Sequence, residues 1–128
     1  LGIPAEPLFR SSTVFQLAVE IQANGALAGD VGIHFLDHGR QAELGMTFSP
    51  AYQHQGYARE AIRAVMALLF EQLAHHRLIA VVDTRNTGAI KLLEGLGFRR
   101  EAHYRQNIFF KGEWGDEYLY ALLRSEYQ

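Results

Sequence analysis

The sequence predicts an α/β domain of the α+β kind, a mixed and mostly antiparallel sheet with a central parallel strand pair and flanking helices. Three observations predict it. Apolar, β-branched segments follow one another across short turns in the first third of the chain. Two later segments place apolar residues at helical spacing. A short, wholly apolar strand lies between those two helices, as a buried parallel strand would. The order is βββ-α-β-α-β-β. A helix between the third and fourth strands makes that pair parallel, with a right-handed crossover, and the hairpins at either end are antiparallel.

The first 12 residues hold Pro4 and Pro7 and read as an irregular lead-in. Thr13 to Ala23 is the first strand, with Val14, Phe15, Leu17, Val19 and Ile21. Asn24-Gly25 signals a type I′ hairpin turn, which needs positive φ twice. Leu27 to Leu36 returns, and Asp37 to Arg40 turns again. Gln41 to Phe48 is the third strand, with Ala42, Leu44, Met46 and Phe48 on one face and Gln41, Glu43, Gly45 and Thr47 on the other.

A helix from Ala58 to Ala74 carries Ala58, Ile62, Val65, Leu69 and Leu73 as its inward stripe. Leu78 to Val82 is the apolar fourth strand. Thr87 to Leu96 is a second helix, with Ile90, Leu93 and Leu96 inward and Gly97 as its C′ residue. Phe98 to Phe110 is a long strand, Lys111 to Trp114 a turn, and Glu117 to Leu123 the last strand. Trp114 reads as a packing or dimer anchor.

Composition excludes several classes. The 128 residues fit one domain, 1–128, and 48% of them are hydrophobic, so the chain folds around a core. Twelve Lys and Arg against 14 Asp and Glu give no basic face for nucleic acid. No apolar run reaches the ~20 residues of a membrane span. The absence of cysteine excludes disulfides, thiolate metal sites and a cysteine nucleophile, and it suits a reducing, cytoplasmic setting. Six histidines are present, but none forms an H-x-x-x-H pair on a helix, and adjacent His75 and His76 point apart, so no metal site is expected.

The most informative stretch is Gln53-His54-Gln55-Gly56-Tyr57-Ala58. It joins the third strand to the first helix. Free backbone N–H groups at a helix start, with the positive end of the helix dipole, favour a phosphate. Gly56 lets the backbone approach a ligand closely. Small Ala58 keeps the first turn low. The same glycine also fits a plain turn.

Gln53-x-x-Gly56-x-Ala58 resembles the acyl-CoA pyrophosphate loop of the GNAT N-acetyltransferase superfamily, Gln/Arg-x-x-Gly-x-Gly/Ala. Downstream, Asn86-Thr87-Gly88-Ala89-Ile90-Lys91-Leu92-Leu93-Glu94-Gly95-Leu96-Gly97-Phe98 resembles that family's Asn-x-x-(Ser/Ala)-x-x-Leu-x-x-x-x-Gly-Phe segment. The tail from Phe109 to Glu117 resembles the end of RimL-like members, which acetylate protein N-termini or small amines. The resemblance implies a GNAT-like acyl-CoA N-acyltransferase fold whose third and fourth strands splay apart. Family members begin with one more strand and one or two helices, so the usual N-terminal strand and helices are expected to be lacking here.

The resemblance further implies a reaction. Acetyl-CoA is the cosubstrate and a primary amine the acceptor, with no metal. Backbone N–H groups from about Gln55 to Arg59, through Gly56, Tyr57 and Ala58, hold the pyrophosphate, and Gln53 and His54 complete the cofactor-binding loop. The pantetheine arm lies along Met46, Thr47 and Phe48 as an added strand. A backbone N–H near Met46 polarises the thioester carbonyl. Asn86 contacts the cofactor or caps its helix. Glu43, on the polar face of the third strand, is the candidate base for the amine's proton; it equally fits an ordinary solvent-facing strand position. The family's usual thiolate proton donors are replaced by Ala89 and Leu93, which leaves water or Tyr104. Tyr104 also reads as a packed aromatic. Partners expected are acetyl-CoA and an amine, neither nucleic acid nor membrane, and a second copy in a homodimer. No acidic cluster is expected near the site, so a polycationic acceptor is not strongly suggested. The alternative reading is a non-catalytic acyl-CoA sensor or structural subunit.

Overall fold

A computed structural model describes residues 14–22, 24–49 and 56–127. Six strands form one sheet: β1 Val14–Glu20, β2 Leu27–Leu36, β3 Gln41–Phe48, β4 Arg77–Asp83, β5 Arg99–Phe110 and β6 Glu113–Leu123. Two helices join them, α1 Tyr57–Ala67 and α2 Thr87–Gly95. The spatial order is β1-β2-β3-β4-β6-β5. Only β3 and β4 are parallel neighbours; the other pairs run antiparallel. The expected mixed, mostly antiparallel sheet is therefore observed.

Alternation along the strands decides which face is covered. Leu17, Val31, Ile33, Ala42, Leu44, Leu78, Ala80, Tyr120 and Leu122 are buried on one face. Ile62, Val65, Leu69 and Phe70 from α1 and Leu93 from α2 pack onto it as one cluster. Burying each of these larger side chains stabilises by roughly 1.5–3 kcal/mol. Tyr120 is wholly buried, and its hydroxyl is satisfied: it donates to Glu94 Oε2 at 2.7 Å and accepts from Arg100 Nη2 at 3.2 Å.

Several boundaries differ from the expectation. The first hairpin does not use a two-residue turn. Ile21 N donates to Ala26 O at 2.8 Å, so the hairpin closes at Ile21 and Ala26, and β1 ends at Glu20. Asn24 Oδ1 takes the Ala26 N–H at 2.9 Å and Gly25 adopts φ 71°, which closes the longer loop. The last hairpin does use a two-residue turn. Lys111 and Gly112 have φ 52° and 78°, and Phe110 pairs with Glu113. Trp114 thus lies on β6 opposite Phe109, with the rings 5.2 Å apart and edge to face, and not in the turn. Its side chain is 61% exposed.

α1 starts one residue early and continues as a π turn, Leu68–Gln72. The wider turn rotates the helix so that consecutive Leu69 and Phe70 both face the core. α2 ends as expected at Gly97, φ 97°. Gly97 N donates to Glu94 O at 3.1 Å and Phe98 N to Leu93 O at 3.0 Å, the two bonds of a Schellman cap, with buried Leu93 and Phe98 in the accompanying positions.

Behind the π turn, His75 is 1% exposed and neither ring nitrogen has a partner among the described residues. It lies 5.4 Å from the Phe35 ring, and burial holds its pKa below the ordinary value. His76 next to it is exposed. The folded state prefers neutral His75, while the unfolded chain takes up a proton below pH ~6.5. Stability is therefore full above that pH and falls as pH drops toward the lowered folded value, by at most about 1.4 kcal/mol per pH unit. Urea midpoints measured at pH 7.5 and pH 5.5 are expected to differ in the wild type, and the difference to shrink in His75→Leu.

Candidate active site

β3 and β4 pair at only three positions, Gln41 with Arg77, Ala42 with Leu78 and Glu43 with Ile79. Beyond these the strands separate. β4 stays paired with β6 through Asp83, and β3 stays paired with β2 through Phe48. The result is a V-shaped gap inside the sheet.

Hydrogen-bond alternation says what faces that gap. Ser49 N donates to Ala28 O at 2.8 Å, so 28 and 49 form a bonded pair in the register that sets Gly29 against Phe48. Bonded and non-bonded pairs alternate in antiparallel strands. The backbones of Glu43, Gly45 and Thr47 therefore turn to β2, while those of Leu44, Met46 and Phe48 turn toward β4. Met46 presents its N–H and C=O to the gap. The approach of β2 to this stretch is close. A Cβ on Gly29 would lie 2.0 Å from Thr47 O and 2.8 Å from Phe48 Cα.

On the helix side the gap opens into a groove of about 580 Å³. Its lining comes from the end of β3 (Met46, Phe48), the start of α1 (Gly56, Ala58, Arg59), the β4–α2 loop and α2 itself (Arg85 to Ala89, Lys91 and Leu92). Two helix N-termini therefore border it. Gly56 begins α1 with φ 81°, and a Cβ there would meet no atom within 4 Å. Asn86 caps α2, its Oδ1 accepting from Ala89 N at 3.1 Å. Arg59, Arg85 and Lys91 supply cations, and no carboxylate side chain lines the groove among the described residues.

The cations differ in what holds them. Arg85 is clamped by Asp83: Nε meets Oδ1 at 3.0 Å and Nη2 meets Oδ2 at 2.9 Å. That guanidinium, helped by the Arg85 backbone N–H, pulls the Asp83 carboxyl down to about 2. Arg59 Nη2 donates to Gly95 O at 3.3 Å, which ties the start of α1 to the end of α2. Lys91 makes no ion pair with the described residues.

Of the residues singled out from the sequence, Met46, Phe48, Gly56, Ala58, Arg59 and Asn86 come together in this groove. Tyr57 is half-buried against the core. Gln53, His54 and Gln55 lie outside the described residues. Thr47, Glu43 and Tyr104 belong to the other face of the sheet. Glu43 stands at the apex of the V, opposite His34 of β2. Tyr104 pairs with Glu117 on the outer strand. With β6 between, it is two strand spacings, about 10 Å, from β4. Arg85 and Lys91 were missed as groove residues. Their charge was visible, but only the fold brings them beside the start of α1.

The other face carries carboxylates near the gap. Asp30 faces Thr47 across β2 and β3, Glu20 continues the same side of β1, and Glu43 closes the apex. Gly32 and Gly45 face each other between Asp30 and Glu43, with the Gln16 side chain over Gly32, 3.2 Å from where a Cβ would stand, and open space over Gly45. A Cβ on Gly45 would touch nothing within 4 Å.

Comparison with known proteins gives a consistent assignment. The family model described as "Acetyltransferase (GNAT) domain" matches residues 6–99. The uncharacterized N-acetyltransferase YnaD of Bacillus subtilis is 38% identical over 85 residues, covering 66% of this chain and 50% of that protein. The spermidine N(1)-acetyltransferase of Escherichia coli K12 is 29% identical over 108 residues, covering 84% of this chain and 58% of that protein. The chain thus spans little more than half the length of these relatives. A crystal structure of a GNAT-family acetyltransferase from Bacillus anthracis superposes with a TM-score of 0.81 at 33% identity, over 87% of this chain and 67% of the other.

Replacing Gly29 by alanine tests how the end of β3 is held. The new methyl meets the β3 backbone at Thr47 and Phe48, so Gly29→Ala is expected to cost about 1–3 kcal/mol, read as a lower denaturant midpoint.

Proposed function

The chain belongs to the acetyltransferase (GNAT) family, and from that premise we propose that it transfers the acetyl group of acetyl-CoA to a primary amine. The observation that carries the proposal is the gap between β3 and β4, which opens on a cationic groove on one face and on carboxylates on the other. A polyanionic donor fits the first side. The glycine start of α1, the capped start of α2 and Arg59 offer N–H groups and positive charge to a pyrophosphate. Met46 and Phe48 line the passage from groove to gap. Bound there, acetyl-CoA supplies an activated acetyl thioester.

Each residue then has a task that follows from its position. The Met46 N–H, turned into the gap, donates to the carbonyl oxygen as charge grows on it. Glu43, at the apex and on the far face, accepts the proton that the attacking amine gives up, directly or through water. The open space over Gly45 leaves the amine an approach to the gap. Asp30 beside it, with Glu43, favours an acceptor with more than one positive charge. A small polyamine is therefore the first acceptor in this proposal, in keeping with the spermidine N(1)-acetyltransferase relative. A peptide N-terminus, as the RimL-like tail suggests, is the second.

One observation favours the non-catalytic alternative. The positions where the family carries a thiolate proton donor hold Ala89 and a fully buried Leu93. Tyr104 is too far along the sheet to replace them without water between. The donor in this proposal is therefore water in the gap.

Two measurements test the reading. Calorimetric titration with acetyl-CoA is expected to show one site, abolished in Gly56→Trp, where the large side chain enters the groove. Free thiol should then appear with acetyl-CoA and spermidine together; binding without thiol release for any amine would favour the sensor. Gly45→Val, which has room in the fold, should keep acetyl-CoA affinity while raising the acceptor KM at least tenfold.

A further inference from the structure

The three groove cations are not equivalent, and their partners divide the work among them. Arg85 is matched by Asp83 in a two-pronged pair, so the two contribute little net charge to the groove. Arg59 is fixed across the start of α1 by Gly95 O, beside the N–H groups there; a Cβ on Gly95 would already press within 3.0 Å of Arg59 Nη1. Its charge stays at that helix start. Lys91 is different. It lies about 6 Å along α2 from Thr87, on the exposed flank of the same groove, and no described carboxylate offsets it.

The donor offers anions in the same uneven way. Its pyrophosphate carries about two negative charges, and the ribose 3′-phosphate, one sugar away, carries roughly two more near neutral pH. The helix starts and Arg59 answer the first. Resting on the acetyl-CoA reading above, we propose that Lys91 binds the ribose 3′-phosphate, so that the site accepts CoA thioesters and discriminates against thioesters on a carrier without that phosphate. Pantetheine phosphate attached to a carrier protein is one such carrier. Lysine suits the task as a mobile point charge on a long stem.

Affinities for acetyl-CoA and acetyl-dephospho-CoA, measured by calorimetry at fixed ionic strength in wild type, Lys91→Gln and Lys91→Arg, decide the matter. The wild type is expected to prefer acetyl-CoA by about tenfold, the ratio one charge-assisted bond supplies. Lys91→Gln should bring the two ligands within about twofold of each other and leave acetyl-dephospho-CoA affinity unchanged; Lys91→Arg should restore the preference. A preference that survives Lys91→Gln, an equal loss for both ligands, or no preference in the wild type overturns the assignment of Lys91 while leaving acetyl-CoA binding intact. Failure of the wild type to bind either ligand overturns the acetyl-CoA reading itself.

Discussion

Three residues of parallel pairing between β3 and β4 shape most of what surrounds them. Parallel strands in a covered sheet normally run side by side along their length. Here each keeps its antiparallel neighbour, β2 or β6, and loses the other beyond Glu43 and Ile79. The sheet is therefore two antiparallel halves hinged at one end. Backbone groups that would have completed the ladder are left on both lips. Such groups are costly when buried and unpaired, so the opening suits a ligand or water that can bond to them.

The helices hold the hinge open from one side. α1 follows β3 and α2 follows β4, so each lip of the gap leads into a helix start. Their inward faces merge into one core with Tyr120 and Leu122 of β6, which fixes the spacing of the two halves. The Arg59 bond to Gly95 O ties α1 to α2, and the bond from buried Tyr120 to Glu94 ties β6 to α2. Electrostatics follows from the same layout. Arg59 and Lys91 lie where the helices stand, and Asp30 and Glu43 lie on the face that the strands alone form.

Most of this architecture was legible in the chain. Element order, the parallel pair and the Schellman end of α2 follow from period, glycine position and crossover rules acting locally. The hairpin at Asn24-Gly25 was misread because one Asn side chain, by taking the Ala26 N–H, stabilised a longer loop. The π turn left no local mark, since Leu69 and Phe70 fit either register until the core selects one. The donor side of the site was visible as a motif because its residues are close in sequence. The acceptor side was not: Glu20, Asp30 and Glu43 come from three strands, and only the β1–β2–β3 register sets them on one face. Lys91 and Arg85 belong to the same case, as ordinary surface charges until α2 is laid beside α1.

β5 ends the sheet, and its free edge is protected unequally. Arg99, Arg100, Glu101, His103 and Arg105 crowd its first half, and a bulge at Gln106, φ 49°, twists the strand there. Charge and twist are the two devices that stop a neighbouring chain from adding itself as a further strand. Past the bulge, Ile108, Phe109 and Phe110 are uncharged, exposed and pinned straight by the tight turn that follows. Lys111 lies 5.3 Å from the Phe110 ring, and the Arg85 guanidinium reaches the Gly115 position opposite Ile108. The part of this edge open to pairing with another strand is thus concentrated in three residues at the hairpin tip.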